Sequence, residues 1–122
     1  MLKKIYTQNA PEAIGPYSQA IQYDKLLFSS GQIPVDPENG AIVAGGIAAQ
    51  AEQVMKNIGA ILEKAGAEYA SVLKTTCFLS DMNDFAAFNE VYAKYFTSKP
   101  ARSCFAVKDL PKGALCEIEV IA

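Results

Sequence analysis

The chain has 122 residues, 51% of them hydrophobic, and a formal net charge of −2: enough for one domain over residues 1–122 with a real core, too few for two. Its charge balance offers no basic stripe for a nucleic-acid backbone. There is no histidine, which excludes a Ser/His/Asp triad, a Cys/His pair and a histidine-ligated metal, and Cys77, Cys104 and Cys116 have no zinc-site spacing. An odd number of thiols without a secretory segment points to reduced cysteines in a cytoplasmic protein. Met1 to Tyr6 carries two lysines but no apolar run of signal-peptide length after them, and no stretch reaches the roughly 20 apolar residues that span a bilayer.

In chain order, residues 2–8 alternate weakly, as an edge strand does, and Ala10 to Pro16 then reads as a loop ending at Tyr17. Residues 18–23 and 26–33 predict two strands of a hairpin turning at Asp24-Lys25. Pro34, Pro37, Asn39-Gly40 and Gly45-Gly46 make a loop before the strongest periodic signal. Ile47, Ala51, Val54, Met55, Ile58, Ile61, Leu62 and Ala65 recur in steps of three and four, the spacing of an amphipathic helix about five turns long. Gln50, Glu52, Gln53, Lys56, Asn57, Glu63 and Lys64 form its expected wet face, and Gly66 suits the position after the last turn.

Residues 71–80 are β-branched and apolar on both faces, as in a strand covered on both sides. Asp81 to Asp84 supplies helix-capping chemistry, after which Phe85, Phe88, Tyr92, Tyr95 and Phe96 repeat at helical spacing as a core stripe. Pro100 ends that helix's approach to a strand holding Ala101 to Phe105, and residues 115–121 form a last strand. The order βββαβαββ implies an α+β fold with a mixed sheet and two helices packed on one face. Two helices leave the other sheet face uncovered, and a second copy of the chain is the economical cover, so a homo-oligomer with closed symmetry is expected.

Arg102 is the residue around which the candidate chemistry gathers, because it stands in a segment that otherwise reads as a buried strand. A guanidinium cannot be neutralised and needs an anion when buried, so it either pairs with Glu117 or Glu119 or awaits a ligand's carboxylate or phosphate. The two glutamates alternate with Cys116, Ile118 and Val120 and therefore share one face of the closing strand. A glutamate lining a partly closed pocket gains a raised pKa and becomes a credible general base. Cys104 shares the face of Arg102, either as a nucleophile or, in the ordinary role of a free cysteine, as a small hydrophobe. Ser30-Gly31 and Gly15-Pro16-Tyr17 offer backbone approach to a ligand or simply shape their turns. The residues alone end at a pocket for a small anion lined by an arginine, a glutamate and backbone.

Taken together, Ala10-Pro11, Ile14-Gly15-Pro16-Tyr17-Ser18-Gln19, Ser30-Gly31-Gln32-Ile33-Pro34-Val35, Lys74-Thr75-Thr76, Asn83-Asp84-Phe85, Pro100-Ala101-Arg102-Ser103-Cys104 and Glu117-Ile118-Glu119 resemble the RidA/YjgF family of enamine/imine deaminases over essentially the whole chain. The resemblance implies a homotrimer of chorismate-mutase-like subunits with sites between neighbours, needing no cofactor or metal. It implies hydrolysis of 2-imino acids such as 2-iminopropanoate and 2-iminobutanoate to 2-keto acids and ammonia. By position, Arg102 matches the carboxylate-binding arginine and Glu117 the glutamate that positions or activates water. Tyr17, Ser30, Gly31, Asn89 and Cys104 match residues lining the cleft, the cysteine mainly through its backbone. The chain departs from the family pattern at Cys116, at Thr97-Ser98-Lys99 and at Gly45-Gly46, which bears on the preferred imine. The competing expectation is a non-catalytic trimer that senses small 2-keto acids through the same pocket. No membrane and no nucleic-acid partner is expected.

Overall fold

The computed structural model describes residues 2–122. Its elements follow the expected order: β1 (Leu2–Ile5), β2 (Ala20–Tyr23), β3 (Leu26–Ser29), α1 (Ile47–Lys64), β4 (Lys74–Leu79), α2 (Phe85–Tyr95), β5 (Ala101–Ala106) and β6 (Cys116–Ile121). The six strands form one mixed sheet in the order β1-β2-β3-β6-β4-β5. β4 and β5 run parallel, joined through α2, while the other neighbours run antiparallel. No helix of the described residues is long and apolar enough to cross a membrane.

The period-3.6 stripe of α1 does what its spacing requires. Ala51, Val54, Met55, Ile58, Ile61 and Leu62 are buried with Phe88, Val91, Tyr92 and Phe96 from the second helical region against Cys77, Leu79, Cys116, Ile118 and Val120 of the sheet. Burying each of the larger aliphatic side chains contributes about 1.5–3 kcal/mol, so this single layer carries most of the hydrophobic stabilisation. α1 ends where Gly66 takes φ +78°, a left-handed conformation that glycine adopts without strain. Asp81 accepts a hydrogen bond from the backbone of Asn83 at 2.8 Å, shaping the turn that leads into α2.

Two polar residues expected on the wet face of α1 are instead buried. Asn57 is fully buried and donates to the carbonyls of Ile33 and Val35 at 3.1 and 3.0 Å, and Gln50 accepts from the backbone of Leu115 at 2.8 Å. Each satisfies backbone groups of irregular loops that have no sheet partner. The strand predicted over 71–80 starts later, because residues 69–71 close a short 3₁₀ turn.

The strand expected to run to Ile33 is interrupted. Phe28 pairs with Ile121 and Gln32 with Ile118, so three residues on the first side face two on β6, which is a β-bulge at 29–31. The Ser29 hydroxyl accepts the Val120 N–H at 2.9 Å inside it.

The far side of the sheet carries Tyr23, Leu26, Phe28 and Phe105 exposed, with Phe78 half-buried against Phe105 at 5.4 Å between centroids. Within one chain β4 is therefore covered by helices on one side only, as two helices on one face require, and its other apolar side is left open.

Candidate active site

Arg102 does not lie in a buried strand. β5 is the edge of the sheet, its residues are exposed or half-buried, and Arg102 itself is half-buried. Nor is it paired with Glu117 or Glu119. No carboxylate among the described residues forms an ion pair with it. Instead its Nη1 donates to Asn89 Oδ1 at 2.7 Å, and its guanidinium carbon stands 4.7 Å from the centroid of the Tyr92 ring and 5.5 Å from that of Phe85. The cation is held by a neutral amide and two aromatic faces, and its charge remains available.

Strand register explains the missing ion pair. Arg102 is the sheet partner of Thr75, whose side chain is buried beneath the helices, whereas Glu117 is the partner of Phe78 on the uncovered face. Paired residues share a face and alternate residues change it, so the arginine and the glutamate project from opposite sides of the same sheet.

The seven candidate residues accordingly fall into two groups. On the helix side, Asn89 and Arg102 line a cleft between the end of α2 and the start of β5, to which Ala93, Thr97 and Lys99 contribute, while Cys104 lies two residues further along β5 on the same face, outside that lining. On the other side, Glu117 packs directly on Gly31: a Cβ at residue 31 would stand 1.9 Å from Glu117 Oε2. Glycine is required there for the carboxylate to lie where it does. Ser30 ties the bulge to the preceding loop, its hydroxyl donating to Ser18 O at 2.6 Å and its backbone N–H to Gln19 O at 2.9 Å. Tyr17 is exposed and lines a second cleft with Ile14, Gly31, Gln32, Pro111 and Lys112.

Gln19, which the sequence did not single out, organises this half. Its buried amide donates to the carbonyls of Thr7 and Pro11 at 3.0 and 2.8 Å and accepts from Thr7 N at 2.8 Å, holding the loop before Tyr17 in place. The signal available was a glutamine in an otherwise apolar strand start. Tyr92 was placed only in the core stripe, and it is also a face for Arg102.

Electrostatics separate the two thiol and carboxylate roles. Burial pushes the Glu117 carboxyl above the ordinary glutamate range, and the negative charge of Glu119 pushes the same way. Burial also raises the Cys104 thiol above 9.0 despite the opposing charge of Arg102, so it is protonated at neutral pH and a poor nucleophile. Cys77 and Cys116 are pushed up to about 12 by burial and are inert by the same reasoning. All three cysteines are free, and no group of three His, Cys, Asp or Glu side chains suited to a metal occurs among the described residues.

A small α+β sheet protein with one helix-covered face, a guanidinium without an anion on that face and a desolvated carboxylate on the other is the class that fold and site define. The family model described as endoribonuclease L-PSP matches residues 7–122, and the chain belongs to that family, in which the RidA, YjgF and RutC proteins stand. It is 57% identical over 123 residues to a RutC family protein of Pyrococcus horikoshii, covering 100% of this chain and 98% of the relative. It is 50% identical over 121 residues to the 2-iminobutanoate/2-iminopropanoate deaminase of Mus musculus, covering 98% of this chain and 90% of the relative. Among solved structures it superposes on E. coli TdcF with bound serine at a TM-score of 0.94 and 45% identity, over 98% of this chain and 97% of that one.

Proposed function

We propose that this chain is a 2-imino acid deaminase that hydrolyses 2-iminopropanoate and 2-iminobutanoate to the corresponding 2-keto acids and ammonia. The observation that carries the reading is the presence of both an anion-free guanidinium and a desolvated glutamate in a chain 50% identical, nearly end to end, to a mammalian enzyme of that name. The relative solved with serine bound held a small molecule with the carboxylate and nitrogen such a substrate would present.

Arg102 binds the substrate carboxylate through its free N–H groups, a geometry that suits a planar fork. Glu117 faces the iminium carbon, takes a proton from water as the water oxygen attacks, returns it to nitrogen, and takes the hydroxyl proton as the carbinolamine collapses to ketone and ammonia, releasing that proton to solvent. A positioned base of this kind contributes roughly 10²–10⁴-fold. Backbone groups beside Gly31 and Cys104 orient the nitrogen, and Tyr17, Ser30 and Asn89 complete the wall. The reaction needs water and no cofactor or metal.

Because Arg102 and Glu117 face away from each other in one chain, the reading requires Arg102 of one subunit to meet Glu117 of the next. A homotrimer closed through the apolar sheet face supplies that arrangement in a cytoplasmic protein, three sites to the ring.

The test couples threonine dehydratase to this protein and follows 2-ketobutanoate while semicarbazide competes for the imine. Acceleration by wild type, lost in Arg102→Ala and in Glu117→Ala, is the expected result. Binding of 2-ketobutanoate without acceleration would instead favour a non-catalytic sensor, and acceleration that survives both substitutions would remove the assigned roles.

A further inference from the structure

Arg102 is the single arginine of the chain, and what holds it is more elaborate than one hydrogen bond. Phe85, Asn89 and Tyr92 stand at i, i+4 and i+7 on α2 and so share one stripe of that helix. All three meet the guanidinium: Asn89 through Nη1, the two rings through their faces. The Tyr92 hydroxyl in turn shares a 2.7 Å hydrogen bond with Thr75 Oγ1 in the interior. Thr75 is also the sheet partner of Arg102, so the chain of contacts closes on itself: β5 carries the arginine, its neighbour on β4 holds the tip of the ring, and the ring's face lies against the cation.

Packing alone does not call for those hydroxyls. Tyr92 contacts Phe88 and Phe96 at centroid separations of 6.0 and 4.7 Å, and a phenylalanine over a valine would fill the same volume with no buried oxygen to satisfy. What the hydroxyl pair adds is a fixed ring orientation.

We propose that Tyr92, tethered to Thr75, is a positioning residue that, with Phe85 and Asn89, holds the Arg102 guanidinium ready to donate its remaining N–H groups to one small carboxylate. The inference rests on the reading of Arg102 as the carboxylate-binding group. The rotamer freedom an arginine loses on gripping an anion is then already lost in the fold, so less is forfeited when the ligand arrives. The choice of an amide at residue 89 matters for the same reason: it occupies one N–H without neutralising the charge. Asn89 thereby holds the arginine as well as lining the cleft.

The test uses the Thr75→Val/Tyr92→Phe double variant, which removes the tether without orphaning either partner. Two readouts are taken on the full-length protein: calorimetric binding of 2-ketobutanoate, and the side-chain guanidinium signal in ¹⁵N spectra, where a single arginine gives a single Nε–H resonance. Wild type is expected to show that resonance displaced by the ring current of Tyr92. In the double variant it moves toward the position of a free arginine, and the Kd rises roughly 3- to 10-fold, the worth of one net hydrogen bond. Asn89→Asp, which sets a carboxylate against Nη1, is expected to weaken binding more than Asn89→Ala does.

An unchanged resonance with an unchanged Kd in the double variant overturns the proposal, as does wild-type affinity in Asn89→Asp. Should the double variant fail to fold, Tyr92→Phe alone breaks the tether and is held to the same two readouts. Wild type that hydrolyses imine but binds no 2-ketobutanoate also overturns it. Wild type that binds and does not hydrolyse sinks the deaminase reading while the cradle, judged by the variants, stands.

Discussion

Gly31 shows how one missing side chain sets the position of another. Its backbone lies so close to Glu117 that a methyl group would overlap the carboxylate, so Gly31→Ala must displace Glu117 or the bulge that carries residue 31. The expected outcome is a fall in kcat on the order of the 10²–10⁴-fold assigned to a positioned base, with the far-ultraviolet circular dichroism of wild type. Glu119 acts on the same carboxylate through charge. Burial and the Glu119 charge both raise the Glu117 pKa, and a base works only when ionised, so the acidic limb of kcat/KM should lie above the ordinary glutamate value of 4.5. Glu119→Gln removes a negative neighbour, which makes ionisation of Glu117 easier. The limb should therefore move to lower pH, and a pH–rate profile that stays in place or moves upward would contradict the assignment of Glu117 as the titrating base.

At the scale of elements, α1 does two jobs, and only one was legible. Its apolar stripe announced the helix and its buried face, because a 3.6-residue period is local information. Asn57 and Gln50 gave no such notice: their partners lie 22 to 24 and 65 residues away, and a polar residue on a helix looks the same whether water or a distant carbonyl satisfies it. Asn57→Ala leaves the Val35 carbonyl without its donor inside the protein, at a cost of roughly 1–3 kcal/mol, and strips the Ile33 carbonyl of one of its two donors, the other being the Val35 N–H at 2.8 Å. Thermal unfolding should show a Tm lowered on the order of 10 °C. The loop after the bulge should also exchange its amides faster, since Asn57 is what pins it to α1.

The same limit appears in the strands. Alternation within β6 placed Glu117 and Glu119 on one face, and alternation within β5 placed Arg102 and Cys104 on one face, both as the structure has them. Whether those two faces coincide depends on the register between strands, and a shift by one residue reverses the answer. Nothing local to either strand fixes it. The edge position of β5, and with it the exposure of Arg102, was hidden for a related reason: which strand ends a sheet is decided by pairings among segments far apart in sequence.

For the molecule as a whole, the opposed faces of Arg102 and Glu117 turn the proposed trimer into a quantitative claim. If each site takes its arginine from one subunit and its glutamate from the next, then Arg102→Ala and Glu117→Ala are each inactive as pure trimers, since every site lacks one arm. Unfolded together in equal amounts and refolded, the two variants form mixed rings. A site is whole when the arginine side falls on a Glu117→Ala chain and the glutamate side on an Arg102→Ala chain, each with even odds, so about a quarter of the sites regain both groups. Deaminase activity near that fraction of wild type should return after co-refolding and be absent when the variants are refolded separately and then mixed below the rate of subunit exchange. Mass measurement of the refolded sample at micromolar concentration should find three chains. A monomer, or co-refolded rings as inactive as their parents, would mean that Arg102 and Glu117 never share a site. The apolar face bearing Tyr23, Leu26, Phe28 and Phe105 would then need another occupant to explain it.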